Sequence, residues 1–349
     1  MRMVTSWGLA ACLTLGASLA SAAGITYTCA ANIDATQAGT CNALNTTIAS
    51  IYGNAFTDAN ASIYITYGST GLASSLQYYT NVTYTAYANA LTAAEGDAHD
   101  VTAVNSLGGT TTNPLVAGDG IALTSALATV LGLAANANSF GITIGGATCT
   151  LGHAGCFNGD ITVSNTPNTW YYRSGAQAAG TYDFFTAVEH ETDEILGTSS
   201  CITGNSNNPA TITTSVNCLN SYNGNPGTGV GAPDLFRYAS AGTRSYLGSA
   251  NGSTAYFSID GGNTNIAGYN NQPNGADYGD WNSASNRIQN AFGTPNTNGL
   301  NITNDGGSEI SVLDAVGYNL TANTPEPGTM VLLSAGLVMF CAGRRFRRH

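Results

Sequence analysis

One segment constrains the fold of this chain more than any other. Residues 184–197 place their apolar side chains on one side of a helix with 3.6 residues per turn. His190, Glu194 and Ala187 fall on the opposite side. Asp183 is suited to cap the start of this helix, and Gly197 suits the positive-φ residue at its end. The pattern predicts a helix, called the site helix below, whose apolar face lies in a core: Phe184, Phe185, Val188, Thr192, Ile195 and Leu196.

The polar face of the site helix carries residues that can hold a metal ion. His190 and Glu194 are four positions apart, so both side chains point the same way and can bind one cation. Glu191 lies beside them, where a carboxylate can act on a bound water. This is the arrangement of H-E-x-x-H, with Glu in place of the second His. We therefore predict that His190 and Glu194 bind zinc and that Glu191 is the catalytic carboxylate.

Both ends of the chain carry targeting patterns. Residues 1–22 combine Arg2, an apolar run and the small residues Ala20-Ser21-Ala22, which is typical of a cleaved signal peptide. Residues 324–349 hold Pro325-Glu326-Pro327, an apolar stretch and four arginines, and resemble the PEP-CTERM sorting signal of Gram-negative bacteria. The resemblance implies recognition by an exosortase, only transient membrane contact through this segment, and delivery to the cell surface or extracellular matrix.

The charge balance argues against nucleic acid as a partner. The chain has 20 acidic and 9 basic residues, and five of those basic residues lie in the two end segments. The body between them keeps four arginines and no lysine. A body this acidic repels phosphate backbones and anionic membrane surfaces.

Six of the eight cysteines lie between the end segments and form three pairs close in sequence: Cys29 with Cys41, Cys149 with Cys156, and Cys201 with Cys218. An oxidising compartment favours disulfides, and short loops make these encounters frequent. A cysteine metal site would need C-x-x-C-like spacing, which none of the pairs has. We predict three local disulfides.

Strand and helix patterns are mixed along residues 23–320, which predicts one α+β domain. Apolar alternation indicates strands, and i, i+3, i+4 spacing indicates helices. Residues beyond 197 are rich in Gly, Asn, Ser and Pro, so we expect a loop-rich C-terminal half. The predicted strands are 61–67, 141–148, 160–164, 170–172, 234–238 and 254–259, the predicted helices are 43–52, 84–94, 121–131 and 309–316, with a helical turn at 72–79 and a loop at 95–118.

The site helix, the tract 233–238 and the tract 313–318 together resemble a family of exported bacterial zincin-type metalloproteases. The resemblance implies a metzincin-like zincin fold, with a mixed sheet above a cleft and the site helix below it. The chain departs from the long pattern H-E-x-x-H-x-x-G-x-x-H, because Glu194 replaces the second His and Ser200 the third. No methionine lies between the end segments, so a Met-turn is absent.

Two functions follow from these observations. One is a secreted zinc metallopeptidase that hydrolyses protein or peptide substrates, with Glu191 moving the proton. The other is a surface or matrix protein that keeps the zincin fold without turnover, which the Glu194 and Ser200 replacements favour. A third metal ligand is unassigned by the sequence, with His99, His153 and Asp234 as the candidates.

Overall fold

The structure is a computed structural model, and it describes residues 24–108, 120–134, 139–202, 229–245, 254–272 and 274–321. Mixed sheets and helices alternate through these residues, which confirms the predicted α+β class. The predicted signal peptide and sorting segment lie outside the described residues, and so does Cys218.

The helices and strands follow one another along the chain without repeats of a single unit. The strands are β1 (Ile25–Cys29), β2 (Ala61–Gly68), β3 (Ala73–Gln77), β4 (Tyr79–Thr83), β5 (Gly120–Thr124), β6 (Phe140–Thr143), β7 (Thr148–Thr150), β8 (Cys156–Phe157), β9 (Gly159–Ser164), β10 (Trp170–Tyr171), β11 (Tyr182–Asp183), β12 (Gly229–Gly231), β13 (Arg237–Ser240), β14 (Thr243–Arg244), β15 (Tyr256–Phe257) and β16 (Ala267–Gly268). The helices are α1 (Ala31–Thr36), α2 (Thr40–Ala43), α3 (Ala49–Ala55), α4 (Tyr84–Ala94), α5 (Ala98–Ser106), α6 (Ser125–Val130), α7 (Phe184–Asp193) and α8 (Ser308–Val316).

The central sheet has the order β1-β2-β9-β3. β1, β2 and β9 run parallel, whereas β3 pairs antiparallel with β9 and forms the sheet edge. A second sheet, β12-β5-β4, and an antiparallel sheet, β14-β13-β15-β16, complete the larger sheets. The edge position of β3 matters for the site because its residues border the main cleft.

The site helix packs its predicted apolar face into the main core. Phe184, Val188, Ile195 and Leu196 are fully buried, and a Cβ on Gly159 of β9 would lie only 2.5 Å from Ile195. Helix and sheet therefore approach closely where β9 begins, which holds the site helix at a fixed height below the sheet. Each fully buried Leu or Ile of this kind stabilises the fold by roughly 2 kcal/mol.

The site helix is α-helical through Asp193 and continues as a π-helical turn, Glu194–Thr198. Gly197 has φ 136°, which an L side chain rarely adopts. The predicted glycine end of the helix is thus confirmed.

Several predicted elements are confirmed, and others need correction. Strands near 61–67, 160–164 and 170–172 and helices 84–94 and 309–316 are present, and the helix predicted at 43–52 runs from Thr40 to Ala55 through α2, a π-helical stretch and α3. The helical turn predicted at 72–79 is wrong, because β3 and the start of β4 occupy it. Leu72, Leu76 and Tyr79 have helical spacing, but pairing with β9 decides the conformation.

The loop predicted at 95–118 is wrong where the structure describes it, because α5 lies there. Asp97 accepts hydrogen bonds from the backbone N–H groups of His99 and Asp100, at 2.7 and 3.1 Å. The Asp100 carboxylate in turn accepts the Asp97 N–H at 3.2 Å. This acidic capping box starts a helix that the polar composition concealed.

Three further elements differ from their predictions. The helix predicted at 121–131 is β5 followed by α6, because Thr124 caps the helix by accepting the Leu127 N–H. The strand predicted at 141–148 is two strands, β6 and β7, paired as a hairpin. The strand predicted at 234–238 begins as a 3-10 turn, Pro233–Phe236, and continues as β13, while only Tyr256–Phe257 of 254–259 is strand.

Two predicted disulfides, Cys29–Cys41 and Cys149–Cys156, are present. Cys201 is itself disulfide-bonded, but the third predicted pair cannot be described because Cys218 lies outside the described residues. The first bond joins the end of β1 to α2, and the second closes the hairpin region between β7 and β8.

Candidate metal centre

The start of the site helix is fixed by a charged cap. The Asp183 side chain accepts the N–H groups of Phe185 and Thr186, at 3.0 and 3.3 Å. Arg173 donates to the other oxygen of Asp183 at 2.7 Å and to the Leu300 carbonyl at 2.8 Å. The predicted cap is confirmed, and it ties the helix to the loop that precedes α8.

His190 is oriented by its backbone partner. Its Nδ1 lies 2.9 Å from the Ile288 carbonyl oxygen. A carbonyl only accepts, so Nδ1 carries a proton and Nε2 presents a lone pair whenever the ring is neutral. Nε2 lies 3.6 Å from Asp280 Oδ1. This orientation, with one ring nitrogen bonded to the backbone and the other free to bind a cation, is typical of metal-binding histidines.

Glu194 and Glu191 approach each other on the same side of the helix. Ser75 of β3 donates to Glu194 Oε2 at 2.5 Å, and the Glu191 and Glu194 side chains are hydrogen-bonded to each other. Both residues are buried. The edge strand is therefore bonded directly to the acidic side chains of the site helix.

Three donor groups meet at one point. Ligand atoms of His190, Glu194 and Asp280 all lie within 4.8 Å of one another. Two ligands about 2.0 Å from a tetrahedral zinc ion would be roughly 3.3 Å apart, close to the separation between His190 and Asp280. One imidazole and two carboxylates are a donor set that zinc accepts. The residues present therefore fit the predicted ion.

Electrostatics describe the same cluster from the proton side. Burial alone would lower the pKa of His190, but Asp280, Glu191 and Glu194 raise it to about 10. Burial raises the pKa of Asp280 to about 8, with His190 opposing the shift. Burial, followed by the neighbouring Glu194, raises the pKa of Glu191 well above its ordinary value. Without a cation the cluster thus holds extra protons, which a metal ion would displace.

None of the three third-ligand candidates from the sequence reaches this cluster. His99 pairs with Asp314 of α8. Asp234 accepts from the Ser200 hydroxyl at 2.5 Å and from the Cys201 and Gly231 N–H groups at 3.0 and 2.8 Å. His153 is exposed in the turn after β7.

Sequence reasoning missed Asp280 and Gln289. Gln289 places its side-chain nitrogen 3.1 Å from Asp280 Oδ1 and 3.3 Å from His190 Nε2. Asp280 lies between Gly279 and Trp281 in a tract of turns, with no helical or strand period to mark it. The Trp281 ring, which is buried and donates to Glu309 at 2.7 Å, is the only local sign that this tract is a packed one.

The cluster lies in a cleft with a cavity volume of about 390 Å³. β3 borders one side through residues 73–75, and the segment 286–294 borders the other. Glu191 and Asp277 add carboxylates to the lining. Leu72, Ile288 and Phe292 supply apolar surface, and Phe292 is half exposed.

Comparison with known proteins identifies one motif. Residues 323–348 match the PEP-CTERM protein-sorting motif. No curated protein and no solved structure gives a significant match to the chain. The sorting motif indicates export to the cell surface or extracellular space of a Gram-negative bacterium, by exosortase-dependent sorting. Within the described residues no helix is long and apolar enough to cross a membrane.

Proposed function

We propose that this chain is an exported zinc metallopeptidase with a zincin-type fold. The observation that carries the proposal is the position of Glu191, a buried carboxylate in the same cleft as the His190, Glu194 and Asp280 donor set. A cation site with an adjacent carboxylate that is not itself a required ligand is the minimum equipment for metal-assisted hydrolysis.

His190, Glu194 and Asp280 would hold the ion. Zinc supplies Lewis acidity to a peptide carbonyl and makes water acidic enough to react near neutral pH. Glu191 takes the proton from that water and later gives it to the leaving amine. The hydrogen bond between Glu191 and Glu194 keeps the Glu191 carboxylate directed at the ion site rather than at solvent.

The free edge of β3 supports a peptide as the substrate. β3 pairs with β9 on one side only, and its other side borders the cleft. An extended peptide can add to such an edge through main-chain hydrogen bonds, which places one of its carbonyl groups over the site helix. Ser75, which donates to Glu194, keeps this edge at a fixed distance from the ion site.

A non-catalytic surface or matrix protein is the second candidate. It is favoured by the donor set, because Glu194 and Asp280 bring two negative charges where two neutral imidazoles would leave the ion more electrophilic. The Ser75, Ile288 and Gln289 contacts also satisfy several site atoms without an ion.

The deciding experiment measures cleavage of an unfolded, fluorophore-quenched protein by the purified mature domain, with zinc added and with zinc removed by a chelator. A metallopeptidase cleaves only with zinc, and Glu191→Gln abolishes cleavage while retaining the ion. Glu95→Gln, a charge-matched change at an exposed residue outside the cleft, is the control. A folded, zinc-loaded domain that cleaves nothing would leave the surface-protein function in its place.

A further inference from the structure

A second acidic cluster lies away from the cleft, between α5 and α8. It consists of Asp97, Asp100 and Asp314, whose ligand atoms all lie within 4.8 Å of one another. Asp97 is exposed, whereas Asp100 and Asp314 are buried. The cluster is formed where the N-terminal turn of α5 packs against α8.

Only part of each carboxylate is used by the fold. Asp97 Oδ1 accepts two backbone N–H groups as the helix cap, and Asp100 Oδ2 accepts the N–H groups of Gly96 and Asp97. The second oxygen of each residue has no hydrogen bond within the described residues. Both carboxylates are thus held rigidly by one oxygen and left with the other to bind something else.

Asp314 provides an independent sign of a missing partner. Its residue is only 1% exposed, yet its Oδ1 accepts no hydrogen bond within the described residues. A buried charged oxygen without a partner is strongly unfavourable, so native proteins normally satisfy it with a donor or a cation. Its oxygen lies within reach of the free oxygens of the other two aspartates.

The cluster also lacks compensating positive charge. His99, in contact with Asp314 Oδ2, is its one cationic neighbour among the described residues. The four described arginines contact other groups, since Arg173 pairs with Asp183 and the other three donate to carbonyl oxygens of Tyr278, Ser106 and Ile266. Burial raises the pKa of Asp314 to about 6, which reflects this uncompensated charge.

We propose that Asp97, Asp100 and Asp314 bind a calcium ion that joins α5 to α8. An all-carboxylate donor set that is open to water at Asp97 suits Ca²⁺, which takes six to eight oxygen ligands in flexible geometry. Zinc is less suited, because no ring nitrogen belongs to the set of mutually close atoms.

The ion would act on stability rather than on chemistry. α8 is followed by Tyr318, which donates to the Leu196 carbonyl at 2.9 Å near the end of the site helix. Fixing α5 against α8 therefore stiffens the support of the site helix from below. The inference does not depend on the proposed peptidase function, because none of the three aspartates borders the cleft.

The test is calorimetric titration of the chelator-treated mature domain with CaCl₂, together with thermal unfolding in 10 mM CaCl₂ and in NaCl of equal ionic strength. We expect one Ca²⁺ bound per cluster with a dissociation constant in the range of about 10⁻⁴ to 10⁻³ M, as in extracellular modules. Calcium should raise Tm by about 5 °C over the NaCl control.

Three variants assign the effect to the cluster. Asp314→Asn should abolish this binding and the Tm shift. Asp97→Asn, which keeps the helix cap through its amide oxygen, should weaken binding at least about tenfold and serves if the buried variant fails to fold. Asp34→Asn, at an exposed residue elsewhere, should leave the binding unchanged.

Asp280→Asn separates this proposal from that for the cleft, because it should impair zinc binding and leave the calcium-dependent Tm shift intact. The calcium proposal is overturned if CaCl₂ and NaCl give the same Tm. It is also overturned if the calcium shift persists undiminished in Asp97→Asn.

Discussion

Glu189 and Glu191 are two positions apart on the site helix, and they lie in opposite environments. Glu191 faces the cleft with His190, Glu194 and Asp280, here called the cleft set. Glu189 points into the protein with Asp193, Asp305 and Glu309, here called the interior set. Both sets are acidic and buried, so burial and charge alone do not distinguish them.

The difference lies in how each set is satisfied. The interior acids are bonded one by one to the fold: Tyr52 donates to Asp193 at 2.7 Å, Trp281 to Glu309 at 2.7 Å, and the Ile302 N–H to Glu189 at 3.3 Å. No three of them bring oxygens within 4.8 Å of one another, whereas His190, Glu194 and Asp280 do. Convergence on one point, rather than acidity, is what marks a cation site.

The largest expected effect compares Glu191→Gln with Glu189→Gln. If the chain is a peptidase, Glu191→Gln should lower the hydrolysis rate by at least about a hundredfold, because the amide cannot move the proton. Glu189→Gln should lower stability and leave the rate of the folded fraction within about threefold. Rate, metal content and Tm measured on both variants test this. Equal losses of rate from both would remove the functional distinction between the two sets.

The next prediction concerns the metal. His190→Ala should abolish zinc binding, since it removes the best ligand, and Asp280→Asn should weaken it by about 10- to 100-fold. Isothermal titration with zinc measures both. His153→Ala, an exposed histidine outside the cleft, is the matched control and should bind as the wild type does.

A gain of function sharpens the same point. Glu194→His would restore the more common ligand and remove one of the negative charges, so zinc affinity should rise. Unchanged or lower affinity would indicate that the Ser75 bond to Glu194 fixes a geometry that an imidazole does not reproduce.

The contrast also shows what sequence could and could not predict. The apolar face, the Asp183 cap and the shared direction of His190 and Glu194 are local properties of a helix with 3.6 residues per turn, and the structure has all of them. Asp280 and Gln289 come from a tract of turns about ninety residues later, and only tertiary packing brings them to His190. No spacing rule connects positions that far apart.

The interior set was unpredictable for a related reason. Acidic side chains beside an apolar arc are normally solvated, so a helix pattern places Glu189 and Asp193 outside. Their burial depends on donors from Tyr52 and from the Ile302 backbone, which belong to distant parts of the chain. The edge strand β3 was missed likewise, since its conformation is imposed by β9.

A stability measurement tests the interior set alone. Tyr52→Phe removes the donor to Asp193 Oδ1 and to the Glu189 carbonyl, at 2.7 and 3.1 Å, while the apolar ring remains. The buried acceptors left without a donor should lower the free energy of unfolding by about 1 to 3 kcal/mol. Zinc affinity should not change. Tyr171→Phe, whose hydroxyl bond to the Gly175 carbonyl is exposed, should cost less than about 0.5 kcal/mol.

The smallest expected effect is a pH dependence. Burial, reinforced by a hydrogen bond with Glu309, raises the pKa of Asp305 to about 8. Because the native state holds this proton more tightly than the unfolded chain, the contribution to stability is full below about pH 4 and is lost as the pH rises toward 8. The metal-free domain should therefore unfold at progressively lower urea concentrations between these pH values.

Glu309→Gln isolates that contribution. Its amide oxygen can still accept from Trp281 and from the Gln289 N–H, while its amide nitrogen can donate to an ionised Asp305. The pKa of Asp305 should then fall toward its ordinary value, and the slope of stability against pH should flatten relative to the wild type. Cleft groups titrate equally in both proteins, so they cancel in the difference. Parallel slopes would mean that Asp305 is already ionised in the native protein, and the interior set would then hold its negative charge without a shared proton.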